Sequence, residues 1–203
     1  MYSFVAEPFV AAGFSVAILG YDLCPLVSLR DITGQIQRAV IWLWRNAGEL
    51  AIDRNRIVLA GASAGGHLTA FAAASDWIGL TAGDLQRSPI AAAIPISGLY
   101  ELEPLRHTSI NVSLGLDAAT AAELSPLSMK ARFGIPQLVV VGGTESEEFH
   151  RQADTYAAQI GQAGIAVERF DEPHVDHFDI VNRFANPSSS LFEKILGVFR
   201  NLS

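Results

Sequence analysis

The chain has 203 residues, and half of them are hydrophobic, which is enough apolar material for one well-buried core and a single domain over residues 1–203. Charged residues make up only 17% and the net charge is −7, so there is no basic face for a nucleic-acid backbone. The lone Cys24, a start without the basic region of a signal peptide, and the lack of an apolar run that could span a bilayer predict a soluble, cytoplasmic protein.

Short, nearly continuous apolar runs alternate along the chain with stretches of helical spacing. The runs predicted to be strands are residues 14–19, 56–60, 90–96, 137–141 and 165–170. The stretches predicted to be helices are residues 32–46, 64–74, 147–161 and 191–201. Continuous hydrophobicity is typical of strands covered on both faces, so the alternation predicts a doubly wound α/β fold with a mostly parallel sheet. The less regular residues 99–132 are predicted to form loops and short helices over one end of the sheet, where such folds bind ligands.

A glycine-rich turn joins the second predicted strand to the second predicted helix. Residues 61–65 read Gly-Ala-Ser-Ala-Gly, which matches GxSxG in the strand–turn–helix context of a nucleophile elbow. In such an elbow a strained turn exposes the serine hydroxyl, and small residues such as Gly61 and Gly65 let the strand and the helix approach. The pattern predicts Ser63 as nucleophile and the Ala64 N–H as an oxyanion donor. A serine that only caps the helix, or a phosphate-binding loop, would give a similar pattern.

In the fold that carries this elbow, an acid and then a histidine follow the serine along the chain. Of the five histidines, His67 falls in the helix just after the nucleophile, and His107 and His150 fall before or close to the acid candidates. His174 and His177 both lie after the last predicted strand. The order of residues alone therefore leaves both of them as candidates for the base.

The acid is expected just after the fourth predicted strand. Glu145 is the first carboxylate there, and a buried carboxylate would hold the imidazole in the tautomer that accepts the serine proton. Glu147 and Glu148 compete, but they continue into a helix, where they suit its N-terminal end. Asp154 and Asp171 are weaker alternatives.

Sequence patterns that bind metals or nucleotides are missing. The chain has no His-x-x-x-His pair, no Cys-x-x-Cys pair and no P-loop. We therefore expect acyl transfer to water on a small-molecule substrate, without a metal or a cofactor and without a nucleic-acid or membrane partner. The sequence does not identify the residues that bind the substrate.

Short motifs with characteristic spacing are spread over most of the chain. They are Tyr-Asp-Leu-Cys-Pro at 21–25, Gly-Ala-Ser-Ala-Gly-Gly-His-Leu at 61–68, Ser-Gly-Leu-Tyr-Glu-Leu-Glu-Pro-Leu at 97–105, Asn111, Leu-Ser-Pro-Leu at 124–127, Glu-Ser-Glu-Glu-Phe at 145–149 with Arg151 and Gln152, and Asp-His-Phe-Asp-Ile-Val at 176–181. The first two are shared broadly with esterases that are similar to hormone-sensitive lipase. The set as a whole resembles the arylformamidases (kynurenine formamidases) of the α/β-hydrolase superfamily.

The resemblance implies an α/β-hydrolase fold and the hydrolysis of N-formyl-L-kynurenine to formate and L-kynurenine, a step of tryptophan degradation. It favours His177 over His174 as the base, because the last motif contains His177. Family members often carry aspartate where this chain has Glu145. A general carboxylesterase of the hormone-sensitive-lipase type and a truncated, catalytically silent hydrolase-fold protein are the alternative functions.

The resemblance also predicts that a segment at the N-terminus is missing. Relatives carry a His-Gly-Gly-x-Trp motif whose backbone N–H groups complete the oxyanion hole, and this sequence begins just past it. An N-terminally truncated fold would lack the inner strand between those predicted at residues 14–19 and 56–60. Such a chain is expected to be poorly soluble, to self-associate, and to be at least about a hundredfold less active than a version extended upstream through His-Gly-Gly.

Overall fold

A parallel sheet of four strands lies at the centre of the computed structural model, which describes residues 3–202. The strands are β1 (Val58–Ala62), β2 (Ala92–Ile96), β3 (Gln137–Gly142) and β4 (Val167–Glu172). Their order in the sheet is β1-β2-β3-β4, and every neighbouring pair is parallel. Parallel strands end at the same edge of a sheet, so the loops that follow all four strands meet at that edge.

Helices before, between and after the strands cover both faces of the sheet. They are α1 (Ala6–Ala11), α2 (Leu29–Arg45), α3 (Ala64–Ala74), α4 (Trp77–Leu80), α5 (Asn111–Leu114), α6 (Ala118–Leu124), α7 (Glu147–Gln162), α8 (Ile180–Phe184) and α9 (Ser190–Arg200), with 3₁₀ turns at Ser3–Val5, Glu103–His107 and Pro126–Ser128. Helices α2, α3 and α7 pack on one face, and α1, α8 and α9 pack on the other. None of the helices within residues 3–202 has the length and apolar character needed to cross a membrane.

The two inner strands explain the continuous apolar runs in the sequence. All residues of β2 and β3 are buried. In β2, Ala93 packs towards α2 and α3 while Ile94 packs towards α9, and in β3 Val139 and Val140 alternate in the same way. Both faces of these strands bury apolar surface, and this burial stabilises the fold by about 25 cal/mol for each Å² removed from water. The predicted α/β class with a parallel sheet is confirmed.

Helix α2 begins three residues earlier than the sequence pattern predicted. The Ser28 hydroxyl accepts a hydrogen bond from the Asp31 N–H at 3.1 Å, and the Asp31 carboxylate accepts one from the Ser28 N–H at 3.0 Å. This reciprocal capping box satisfies donors that the first turn of a helix leaves unpaired. Apolar periodicity alone starts at Ile32 and does not contain that information.

The prediction of a strand at residues 14–19 is wrong. Residues 15–20 make no backbone–backbone hydrogen bond within the described part of the chain, where β1 pairs with β2 alone. A cavity of about 620 Å³ is lined both by residues 14–19 and by β1. A strand needs a neighbour that satisfies its N–H and C=O groups. The run has no such neighbour among the described residues; it lines the cavity, and Val16 and Ile18 are exposed.

Candidate active site

The turn between β1 and α3 is tight and strained. Ser63 has φ of 57° and ψ of −116°, a backbone conformation that residues other than glycine rarely adopt. Its N–H donates a hydrogen bond to the Ile96 carbonyl at 2.9 Å. A Cβ atom on Gly61 would lie 2.5 Å from the Gly65 carbonyl oxygen, and one on Gly66 would lie 2.5 Å from the Ile96 carbonyl oxygen. Helix α3 therefore lies so close to β1 and to the end of β2 that residues 61 and 66 must be glycine.

One sequence expectation about this turn needs correction, and one alternative is ruled out. Glycine is not required at position 65 for steric reasons, because a Cβ atom on Gly65 would meet no other atom within 4 Å. The contribution of Gly65 is its backbone, which presses against Gly61. The Ser63 hydroxyl also makes no capping hydrogen bond to α3, so the alternative of a purely helix-capping serine does not describe this structure.

A chain of hydrogen bonds joins three loops at the carboxyl edge of the sheet. His177, from the loop after β4, has its Nε2 atom 3.0 Å from Ser63 Oγ. Its Nδ1 atom lies 2.7 Å from Oε2 of Glu145, which comes from the loop after β3. A carboxylate only accepts, so Nδ1 carries the proton and Nε2 is free to accept the Ser63 hydroxyl proton. The arrangement has the contacts of a nucleophile, a base and an orienting acid.

The Glu145 side chain is fully buried, with 0% of it exposed. Its Oε1 atom accepts the Gly142 N–H at 2.7 Å and the Ser97 hydroxyl. Burial by itself raises the pKa of the carboxyl group. The hydrogen bonds from His177, Ser97 and Gly142 outweigh burial and hold the pKa of Glu145 below its ordinary value. Glu145 is therefore an ionised carboxylate at neutral pH.

Aromatic rings pack against the His177 imidazole. The Phe149 ring centroid lies 4.5 Å from that of His177, and the Phe178 ring meets it edge-on at 5.7 Å. The His177 side chain is 26% exposed. Both phenylalanines occur in motifs of the sequence, but no pattern there indicated that they would pack against His177.

The other histidines lie away from the Ser63 hydroxyl. His174 is exposed with φ of 58°, and its side chain has no hydrogen bond within residues 3–202. His67 is buried in α3, with Nδ1 2.9 Å from the Leu99 carbonyl oxygen. His107 lies beside Glu103 on the surface. The structure thus brings only His177 to Ser63 among the two candidates that follow the last strand.

The competing acids are engaged elsewhere or exposed. Glu148 bonds to Arg151 at 2.7 Å within α7, and Glu147 is exposed on the same helix. Asp154 and Asp171 both pair with Arg169, each at 2.9 Å. Within residues 3–202, no three His, Cys, Asp or Glu side chains are grouped so that they could hold a metal ion.

The cavity beside β1 reaches the candidate site. Its lining includes Ser63, Ala64, His177, Phe178 and Tyr21. Ala64 is exposed at the first turn of α3, and no group within the described residues accepts a hydrogen bond from its N–H. Such first-turn N–H groups lack acceptors inside their own helix. A carbonyl group bound in the cavity next to Ser63 would therefore find a free backbone donor.

The buried imidazole of His67 makes stability depend on pH. Burial lowers its pKa from 6.5 to about 4, although the hydrogen bond to the Leu99 carbonyl opposes this. Between these values the unfolded chain binds more protons than the folded one, so His67 stabilises fully above pH 6.5 and progressively less down to about pH 4. We expect the free energy of unfolding to fall by roughly 3 kcal/mol over this range because of His67.

Urea unfolding of the parent and of His67→Leu between about pH 7 and pH 4 measures this contribution. His67→Leu should show a shallower pH dependence, whatever its absolute stability. His174→Gln serves as the control and should keep the parental slope, because His174 is exposed and its side chain makes no hydrogen bond within residues 3–202. An equal slope in the parent and in His67→Leu would contradict the prediction.

Comparison with known protein families identifies the family of this chain. The BD-FAE family model matches residues 1–122, which is more than half of the sequence. The chain belongs to the BD-FAE family. A solved structure from Silicibacter sp., described as a thioesterase, is 34% identical to this BD-FAE protein with a TM-score of 0.79, and the match covers 96% of this chain and 68% of that one.

Further relatives of this BD-FAE protein are hydrolases. It is 27% identical over 198 residues to the kynurenine formamidase of Danio rerio, and the match covers 95% of this chain but 65% of that enzyme. Esterase B of Lactobacillus rhamnosis has 19% identity and a TM-score of 0.75, over 98% of this chain and 69% of that one. The α/β-hydrolase fold and the resemblance to kynurenine formamidases are thus confirmed, and the chain spans just under two thirds of the formamidase's length.

Proposed function

We propose that the protein is a serine hydrolase that cleaves N-formyl-L-kynurenine to formate and L-kynurenine in tryptophan degradation. The observation that carries the proposal is the hydrogen-bonded chain from Ser63 through His177 to Glu145. The similarity to kynurenine formamidases over most of the chain supports the choice of substrate.

The first half of the reaction transfers the formyl group to the enzyme. Ser63 Oγ attacks the formyl carbon while its proton moves to His177 Nε2, and Glu145 stabilises the imidazolium that forms. The formyl oxygen becomes an oxyanion, which accepts a hydrogen bond from the Ala64 N–H. The C–N bond then breaks, and His177 returns the proton to the nitrogen of the departing aryl amine.

The second half releases formate. Water attacks the carbon of the formyl ester on Ser63, and His177 Nε2 takes a proton from the water. When the tetrahedral intermediate collapses, the bond to Ser63 Oγ breaks and His177 protonates that oxygen. The product leaves as formic acid, which loses its proton to the solvent to give formate, and the enzyme returns to its starting state. The proton given back to Ser63 Oγ crosses the 3.0 Å hydrogen bond from His177 Nε2.

The cavity suits an aryl leaving group. Its volume of about 620 Å³ lies in the range of ligand-binding cavities, and its lining is mostly apolar. The aromatic side chains of Tyr21 and Phe178 lie in the wall that also contains Ser63 and His177. An aromatic ring bound there would be desolvated close to the reacting carbonyl.

The function is tested by the release of formate and kynurenine from N-formyl-L-kynurenine, compared with the hydrolysis of phenyl acetate. We expect a higher kcat/KM on the formamide, with Ser63→Ala as the blank for both substrates. Rapid ester hydrolysis with poor formamide hydrolysis would favour a general carboxylesterase. Rates equal to the blank on both substrates would favour a catalytically silent protein.

Glu145→Gln is expected to lower kcat by about 10⁴-fold while preserving the volume of the side chain. The amide cannot stabilise the imidazolium, and its NH₂ group can force the imidazole into the tautomer that does not accept the serine proton. Steady-state kinetics measure the loss, and Glu148→Gln, on the surface of α7, is the matched control. A parental rate in Glu145→Gln would mean that another carboxylate is the acid.

A further inference from the structure

Ser97 lies directly after β2 and contacts the candidate site through Glu145. It is fully buried, and its hydroxyl donates to Oε1 of Glu145. Its own N–H donates to the Val140 carbonyl on β3 at 2.8 Å. The carbonyl of the preceding residue, Ile96, accepts the Ser63 N–H at 2.9 Å. Two successive residues at the end of β2 therefore bind the two sides of the site: the Ile96 carbonyl binds the turn that carries Ser63, and the Ser97 hydroxyl binds Glu145.

The backbone of Ser97 is in a conformation that suits glycine better than serine. Its φ is 48°, in the left-handed region that most residues with a Cβ atom avoid. Glycine would adopt this conformation without strain, so what serine adds at this position is the hydroxyl group. That hydroxyl has a single described acceptor, the Glu145 carboxylate.

The hydroxyl fixes which carboxylate oxygen faces the base. Ser97 and the Gly142 N–H both donate to Oε1, whereas Oε2 accepts from His177 Nδ1 at 2.7 Å. Two donors on one oxygen lock the plane of the carboxylate and compensate for its loss of water. Partners of this kind orient a functional group without touching the substrate.

We propose that Ser97 is a positioning residue that holds the Glu145 carboxylate aimed at His177, an inference that rests on the hydrolase function proposed above. Without the hydroxyl, the buried carboxylate keeps only the Gly142 N–H on Oε1 and can rotate away from the imidazole. The base then loses its orientation in the transition state, while the binding cavity is unchanged.

Ser97→Gly removes the hydroxyl and also removes the strain of a positive φ at this residue. A loss of activity in this variant is therefore not explained by a loss of folding. We expect kcat on phenyl acetate to fall about 10- to 100-fold, with KM within about threefold of the parent. Ser97→Cys, with a weaker donor of similar shape, should give an intermediate rate. Ser190→Ala is the matched control, because it removes another serine–glutamate hydrogen bond, to Glu172 at 2.7 Å, and should keep parental kinetics.

The pH profile distinguishes positioning from a purely structural role. Among the described residues, Tyr100 interacts electrostatically with Glu145, and Asp176 interacts electrostatically with His177. Backbone hydrogen bonds lower the pKa of Asp176, and burial raises the pKa of Tyr100, so neither changes charge near neutral pH. A carboxylate that turns away from the imidazole stabilises the imidazolium less. The acid limb of kcat/KM should therefore move to lower pH in Ser97→Gly.

The low-field proton resonance of His177 Nδ1–H, assigned by its loss in His177→Ala, gives a readout that needs no turnover. It should shift or broaden in Ser97→Gly but not in Ser190→Ala. Parental kcat, acid limb and resonance in a folded Ser97→Gly would overturn the proposal. If the parent hydrolyses neither substrate, the proposed function fails, and the resonance alone decides whether Ser97 positions the acid.

Discussion

Ser63→Ala is expected to remove nearly all hydrolysis, with kcat lower by about 10⁵-fold or more. The substitution deletes the oxygen that attacks the substrate and leaves the backbone turn, the cavity and the Ala64 N–H in place. The turn is held by the Ser63 N–H bond to the Ile96 carbonyl and by the glycines around it, which do not involve the hydroxyl. Steady-state kinetics on N-formyl-L-kynurenine and phenyl acetate measure the loss.

Ser113→Ala is a matched control, since Ser113 is exposed in α5 and far along the chain from the elbow. Its rates should equal those of the parent. Thermal unfolding of Ser63→Ala should match the parent closely, which separates a chemical defect from a folding defect. Activity of a folded Ser63→Ala within about tenfold of the parent would exclude Ser63 as nucleophile.

His177→Ala is expected to lower kcat to nearly the same extent as Ser63→Ala. The imidazole is the only group within hydrogen-bond reach of the Ser63 hydroxyl among the described side chains, so no other base is available for its proton. Residues that act as a unit lose activity non-additively, so the double variant should be no slower than Ser63→Ala alone. Kinetics of the two single variants and of the double variant measure this directly.

His174→Ala is the control for the choice of base. His174 lies three residues before His177 in the same loop, is exposed, and should tolerate the change with a rate within about threefold of the parent. A larger loss in His174→Ala than in His177→Ala would mean that the base had been assigned to the wrong histidine.

The sequence alone predicted the elements whose structure follows from their local pattern of apolar residues. The buried strands β2 and β3 are continuous apolar runs because both of their faces pack against helices. The run at residues 14–19 is similarly apolar but is not a strand, and most of it is exposed. A strand needs a neighbouring backbone as well as apolar side chains, and composition contains no information about that neighbour.

Local spacing also identified the turn that presents Ser63, because the strand, the GxSxG pattern and the helix are contiguous. Contacts over long sequence separations were not predictable in this way. Ser97 meets Glu145 across 48 residues, and Phe149 packs on the His177 ring. No periodicity links such pairs, and only the parallel sheet brings the loops after its strands to one edge.

The expectation that an upstream His-Gly-Gly segment raises solubility and activity stays a prediction. Within the described residues, the Ala64 N–H is a free donor beside Ser63, and the cavity between residues 14–19 and β1 adjoins it. Removing one oxyanion donor typically costs about 10²- to 10³-fold in rate. Comparing this chain with an upstream-extended form therefore measures how much a second donor contributes.

Covalent labelling tests most directly the claim that Ser63 is a nucleophile activated by His177. The protein is incubated with a stoichiometric aryl phosphonate, and intact-mass spectrometry with peptide mapping locates the adduct. A single adduct on Ser63, absent in Ser63→Ala and formed far more slowly in His177→Ala, is the predicted result. An adduct on another residue, or hydrolysis of substrate that continues unchanged in the presence of the phosphonate, would contradict the account.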